Sequence, residues 1–548
     1  MSKAWWDGAC SFARLSPDFP ILKQERTLGF SPNRTQYLIL FAEERPSRFS
    51  SNMGPVVDRI LLSGLLASTA LAQSCPDYST HSKERNLPLS PGRYELAYQR
   101  PDPQCRTFVS SVVDDAITNM SLAITDPDLF RLFENTLPNT LDTAIKWRGH
   151  AHNNSREELA FIVTGDINAM WLRDSANQIK SYLSFLAADP SPDSLAGLFR
   201  GVINLQARYI LTSPYCNAFQ PPAESSLEHA PSGGSKAQIT PPYDTTAVFE
   251  CKFELDSLAS FLDLSYSYFR ATGDYAFFGE FQWVPAVQQI LVTALSIMLP
   301  TYRPDGEVAP LEYTFQQETK RATETLINNG IGSPANNGTG LIRSVFRPSD
   351  DATMFPFLIP SNMMLAKCLE DASGILGLLN QSTILDGNIT EIKMGMGLFA
   401  HYIRYGIDLY GVVPVSTLDG GVETVYGYEV DGFGSVNLMD DANIPSLLAA
   451  PLMGFLSRDD PVYRRTRARI LSPKNPYFMR GTEFSGVGGP HVGPGRAWPM
   501  ASIVQILTSD DDDEIVSTLK SLLGSTAGLG LIHESVNASN TEDWTRQW

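Results

Sequence analysis

Positive charge is the first thing this chain is short of. Its 42 Lys and Arg stand against 60 Asp and Glu, a formal charge of −18. Phosphate backbones are gripped by an excess of Lys and Arg, so this acidic balance argues against a nucleic-acid partner. Histidine is sparse as well: the 7 in the chain are scattered, and the 6 cysteines form no CxxC or Cys/His group that would predict zinc. The apolar run in MGPVVDRILLSGLLASTALAQSC is too short to cross a bilayer, so no stable membrane anchor is expected. Strand-like alternation is scarce, and no segment repeats at a fixed period, which argues against a solenoid.

What is present is enough apolar material for a large core, 43% of 548 residues. The apolar run ends in Ala70-Leu71-Ala72, a small-x-small site of the kind signal peptidase cuts, and predicts a signal peptide over 53–72. Residues 1–52 then read as a mis-assigned N-terminal extension, and 73–548 as one domain. Sequons at Asn119, Asn153, Asn337, Asn380, Asn388 and Asn537 point the same way, toward a secreted glycoprotein. Without the leader and what precedes it, Cys75, Cys105, Cys216, Cys251 and Cys368 remain, an odd number. Cys368, inside the apolar helical stretch SNMMLAKCLEDASGILGLL, is expected to be the free one.

From about residue 100 the chain is a succession of segments with apolar residues at helical spacing, among them RTFVSSVVDDAITNM, LAGLFRGVINLQARYIL, LDSLASFLDLSYSYFRATGD, VPAVQQILVTALSIML and ITEIKMGMGLFAHYIRY. The exception is GVVPVSTLDGGVETVYGYEVDGFG, whose Asp-Gly-Gly between β-branched runs predicts a hairpin. More than ten helices without a sequence repeat predict an all-α, (α/α)6 toroid of helical hairpins with a minor β-hairpin. The Pro-, Ser- and Gly-rich stretch SPYCNAFQPPAESSLEHAPSGGSKAQITPPYD breaks the rhythm and is expected to be an excursion over the central funnel or a flexible insertion.

Polar clusters punctuate the helical segments at their junctions: TGDINAMWLRDS, FECKFELDS, VFRPSDDATMFPFLIPSN, LMDDANIPS, FSGVGGPHVGPGRAWP and GLIHESVN. In the first, Asp166 suits a helix N-cap. Arg173 and Asp174 cannot both be caps; they read either as a buried structural pair or as a clamp for vicinal hydroxyls, with Trp171 stacking on a sugar face. Asp350-Asp351 and Asp440-Asp441 are adjacent carboxylates whose repulsion raises the pKa of one, making it a candidate proton donor. For a doublet taken in isolation, an N-cap followed by a dipole-favoured Asp is the better reading. The doublets could also offer calcium hard oxygen ligands, although EF-hand spacing is absent. DDDDE at Asp510 to Glu514 reads as a solvated helix start. GGPHVGPG lacks the Lys-Ser/Thr of a phosphate loop; its glycines are expected to let backbone approach a ligand, with His491 at hand. Glu534 could be a base or a surface charge.

In this order, TGDINAMWLRDSANQ, FELDS, FRPSDDATMFPFLIPSN, MDDANIPSLLAAP, GVGGPH and IHE resemble glycoside hydrolase family 125, the exo-acting α-1,6-mannosidases, from roughly residue 95 onward. The resemblance implies an (α/α)6 fold, hydrolysis of terminal α-1,6-linked mannose with inversion, and no metal or other cofactor. It implies a general acid at Asp350 or Asp351 and a general base at Glu534. Trp171, Arg173, Asp174, Asp256, Arg347, Asn362, Asp440, Asp441, Asn443 and His491 would line the pocket for the terminal sugar of an N-glycan or mannoprotein. Two departures stand out: Ser485 replaces a Glu that bacterial-type members carry before the glycines, and the chain stops at TEDWTRQW, where the family usually continues, so a truncated C-terminus is expected. The alternatives are another inverting (α/α)6 enzyme, trehalase- or glucosidase-like, and a non-catalytic glycan-binding protein.

Overall fold

Apolar residues at helical spacing form helices where the sequence places them. The computed structural model describes residues 75–233, 237–381, 389–417 and 419–547. The expected extension and leader, 1–72, and the sequon Asn388 lie outside the described residues. Helix α1 (Ser111–Ala123) leads into α2 (Pro127–Thr136), where Asp126 caps by accepting from the Asp128 and Leu129 N–H groups.

Three helical hairpins follow. Inner helices α3 (Leu172–Lys180), α5 (Leu255–Thr272) and α7 (Ile359–Gln381) alternate with outer helices α4 (Leu195–Thr212), α6 (Trp283–Ile297) and α8 (Ile389–Gly406). Helix α5 packs between α3 and α7, while α6 packs between α4 and α8. Arg173 at the start of α3 pairs with Asp256 at the start of α5, and Lys180 at its end pairs with Asp263 one turn and more further along. The inner helices therefore run the same way and bring their N-termini to one end. Beyond them the helices shorten: α9 (Pro461–Ile470), α10 (Pro499–Leu507) and α11 (Asp512–Gly524). Asp511, in the DDDDE run, caps α11 by accepting from the Asp513 and Glu514 N–H groups.

The two ends of the described chain meet. Ala97 N–H donates to Gly528 O at 2.9 Å, and the Asn135 amide donates to both Ala97 O and Gly530 O at 2.9 Å. Leu96 and Leu132 pack there against Leu523.

Strand is more frequent than the sequence suggests. The expected hairpin forms, Val412–Ser416 pairing with Val422–Tyr426, but it is one of seven small sheets holding seventeen strands among the described residues. The all-α expectation is corrected to a helical frame with short β-ladders at its junctions. Many of these strands have two or three residues, too few to establish a period of two. The longer pair, Ile145–Ala151 with Asn154–Ile162, is half-buried without clean alternation. It lies on α4, where a Cβ on Gly201 would come within 3.0 Å of Ala160.

Disulfides join Cys75 to Cys105 and Cys216 to Cys251, and Cys368 is free and buried in α7, as expected. The Pro-rich excursion is ordered where described: Ala218–Phe219 pairs with Met170–Trp171 on one side and Val248–Glu250 on the other.

Candidate active site

The inner helices begin with polar residues rather than leucines, so their shared end is charged. Asp166 is not the cap of α3; it sits in the exposed turn between Thr164 and Ile167, and Trp171 occupies the N-cap. Arg173 and Asp174 consequently fall in the first turn of α3, Glu254 and Asp256 flank the start of α5, and Ser361 and Asn362 begin α7. The Arg173 guanidinium donates to Glu254 Oε2 at 2.8 Å, Asp256 Oδ2 at 3.0 Å and Asp174 Oδ2 at 3.2 Å. Ser361 Oγ donates to the other Asp256 oxygen at 3.2 Å. One guanidinium cannot neutralise three carboxylates. Burial raises the pKa of Asp174, Glu254 and Asp256, and Arg173 only partly offsets it.

The Asp350-Asp351 doublet starts no helix. It closes a turn in which Asp350 N–H donates to Arg347 O at 2.9 Å and Arg347 N–H donates to Asp351 O at 2.8 Å. Asp350 takes a left-handed φ of 69°, which is uncommon outside glycine and clusters at functional positions. The two side chains thereby differ in access. Asp351 is 3% exposed, with Oδ2 3.9 Å from His491 Nδ1 and 3.4 Å from the Ser349 hydroxyl. Asp350 is 35% exposed.

Asp174, 27% exposed, keeps access to solvent as Asp350 does. Burial pushes the Asp350 carboxyl up, but Lys252, followed by Arg173, His491 and Arg546, outweighs it and holds the group below the usual range. Burial raises Asp351.

Glu534 comes from the strand His533–Asn537, paired with Asn540–Gln547. Thr545 Oγ1 donates to Glu534 Oε2 at 2.9 Å, and Arg546 Nη1 lies 3.8 Å from Oε1. Arg546 also adds to the positive field that lowers Asp350. His533 belongs to the core instead: it stacks on Trp544 at 4.3 Å, and burial lowers its pKa to about 4.

Other expected residues take supporting positions. Asn362 is 0% exposed; its amide donates to Ile342 O and Leu358 O and accepts from Ile342 N–H, so it pins the start of α7 and offers nothing to a sugar. Asp440 accepts from the Leu447 and Leu448 N–H groups, and burial pushes it up to about 8. Arg347 is buried, donating to Glu429 Oε1 at 2.6 Å. Asp441 accepts from Ser349 Oγ at 2.7 Å and from Asn443 N–H at 3.2 Å. Trp171 packs edge-on against Phe249 at 5.4 Å, leaving little of its face free. His491 meets Trp498 at 6.3 Å and remains partly open.

The glycines of GGPH make room for protein rather than for a ligand. A Cβ on Gly488 would fall 2.2 Å from Arg496 O, and one on Gly489 3.0 Å from the Asp441 carboxylate.

Sequence reasoning missed Glu250, Lys252, Glu254 and Arg546. The first three carried a signal in FECKFELDS: Phe249, Cys251, Phe253 and Leu255 alternate with Glu250, Lys252, Glu254 and Asp256, a period of two that sends the charges to one face. Arg546 had none. A separate cavity of about 590 Å³, between Glu157, Arg208 and Glu224, gathers none of the expected residues, and its arginine is already paired with both glutamates.

Helices whose N-termini bring Asp174, Glu254 and Asp256 to one end carry the kind of acidic side chains on which hydrolysis of glycosidic bonds depends. The family model for metal-independent alpha-mannosidases, GH125, matches residues 126–548, and the chain belongs to that family. It is a glycoside hydrolase, an α-mannosidase. It is 46% identical over 478 residues to the meiotically up-regulated gene 157 protein of Schizosaccharomyces pombe, spanning 87% of this chain and 90% of the relative. Its fold is similar to that of a Streptococcus pneumoniae metal-independent alpha mannosidase captured in a non-productive complex with alpha-1,6-mannobiose. The TM-score is 0.68 and the identity 31%, over 81% of this chain and 95% of that one.

Proposed function

We propose that this α-mannosidase removes terminal α-1,6-linked mannose with inversion, using Asp350 as general acid and Glu534 as general base on a closed six-hairpin ring. The observation that carries the assignment is the access of Asp350: its side chain is 35% exposed, whereas that of its neighbour Asp351 is 3% exposed and turned into protein. Protonation alone would favour Asp351, since its pKa is raised and that of Asp350 lowered. Position decides, because a proton is delivered only across hydrogen-bond contact. A sugar seated over Asp350 strips it of water and drives it toward its protonated form.

In the reaction Asp350 gives its proton to the glycosidic oxygen as the bond to the anomeric carbon breaks. Water attacks that carbon from the opposite face, and Glu534 takes the water's proton. Inversion requires room for this water, with the two carboxyls roughly 6.5–9.5 Å apart. Arg173 holds Asp174 toward the sugar hydroxyls. The mannobiose complex of the similar bacterial enzyme supports the 1,6 linkage, and the meeting of residues 97 and 528 supports closure of the ring.

Export is part of the same reading. The leader-like run, the two disulfides and the exposed sequons Asn119, Asn153 and Asn337 support a secretory route and N-glycan or mannoprotein substrates. Asn537 is a poor acceptor, because its amide is engaged by Asp543 and by the Ser539 N–H.

Proton NMR of the enzyme with α-1,6-, α-1,2- and α-1,3-mannobiose tests the proposal. Early β-mannose from the 1,6 isomer alone is expected. Early α-mannose would overturn inversion, and equal turnover of the other isomers would overturn the linkage.

A further inference from the structure

Lys252 is a buried lysine. It is 8% exposed, and its ammonium lies 3.1 Å from Glu250 Oε1, 3.7 Å from Asp350 Oδ1 and 5.7 Å from the centre of the Phe346 ring. Asp350 Oδ1 is itself buried and has no hydrogen-bond partner among the described residues, so this cation is its nearest counter-charge there. Neither Lys252 nor Glu250 is free to move. Cys251 between them is bonded to Cys216, and Asn217, beside that bridge, accepts from Lys252 N–H at 3.0 Å while donating to Glu250 Oε2 at 3.3 Å.

We propose that Lys252 and Glu250 are positioning residues that set the acid strength of Asp350: the ammonium orients and strengthens the acid, and Glu250 limits that pull by taking part of the charge. The proposal rests on the reading of Asp350 as the general acid. The other charges facing Asp350 are Arg173 and Asp174 from α3, Glu250 from the strand Val248–Glu250, Glu254 from the N-cap of α5, His491 from the glycine loop and Arg546 from the C-terminal strand. Among the cations, Lys252 weighs most on Asp350. The ammonium faces the buried oxygen of Asp350, where one charge more or less is felt strongly.

The expected signs are opposite. The basic limb of kcat/KM reports loss of the proton on the acid. Lys252→Met removes the charge that favours ionised Asp350, so the limb moves to higher pH, by about one unit or more, the size an adjacent opposite charge imposes. Glu250→Gln releases the full charge of Lys252 onto Asp350, and the limb moves to lower pH. Lys252→Met also loses more activity on α-1,6-mannobiose than on 2,4-dinitrophenyl α-mannoside, whose leaving group needs no proton, whereas Lys252→Arg stays near the parent profile.

Shifts in the same direction, or lost activity with an unmoved limb in variants shown folded by circular dichroism, would overturn the proposal. Asp350→Asn separates the two readings. If the limb survives in Asp350→Asn, the acid assignment fails; if it vanishes there but ignores Lys252 and Glu250, only the present inference fails.

Discussion

At the scale of single residues, the doublet Asp350-Asp351 divides into two unlike carboxyls because one of them adopts a left-handed backbone. Asp350→Asn should lower kcat on α-1,6-mannobiose by about 10²–10⁴-fold, the usual contribution of a positioned acid, with most of the loss recovered on the dinitrophenyl mannoside. Glu534→Gln should lose as much and recover nothing, since activating water is needed whatever the leaving group. Asp351→Asn should act through its neighbours Ser349 and His491, costing less in kcat and showing no leaving-group dependence. Steady-state kinetics on the two substrates distinguishes the three outcomes.

At the scale of elements, the site depends on how the inner helices start. Asn362 satisfies three backbone groups between α7 and the chain at Ile342 and Leu358. Asn362→Ala leaves them unpaired and buried, and should destabilise the protein by several kcal/mol at about 1–3 for each group, measurable as a lower urea midpoint. This element was legible in part. The helical spacing of 195–211 or 255–274 announced α4 and α5, because long amphipathic segments carry many repeats of their period. The place of the polar clusters at helix starts was legible too. What stayed hidden was long-range: two-residue strands, the burial of Asn362 and Asp440, and the partnership of Lys252 with Asp350, 98 positions apart in the numbering. Spacing within a segment says nothing of which segments meet.

At the scale of the whole molecule, stability should depend on pH through His533. Its folded pKa, about 4, lies below the ordinary value of 6.5, so the unfolded chain binds the proton first as pH falls. Stability is therefore full above 6.5 and is lost as pH drops toward 4, by up to roughly 3 kcal/mol from this group. His533→Phe, which keeps the stack on Trp544 and cannot titrate, should flatten that acid slope. Urea melts of both proteins between pH 7 and 4.5 give the comparison; equal slopes would remove His533 from the explanation.

The meeting of residues 97 and 528 also fixes an order in time. A ribosome delivers Ala97 and Asn135 long before Gly528 and Gly530, so their shared hydrogen bonds stay open while some 400 residues are added. Glu534 and Arg546 arrive later still. These contacts therefore form only once the late segments have left the ribosome, and until then the apolar edge at Leu96 and Leu132 lacks its partner Leu523.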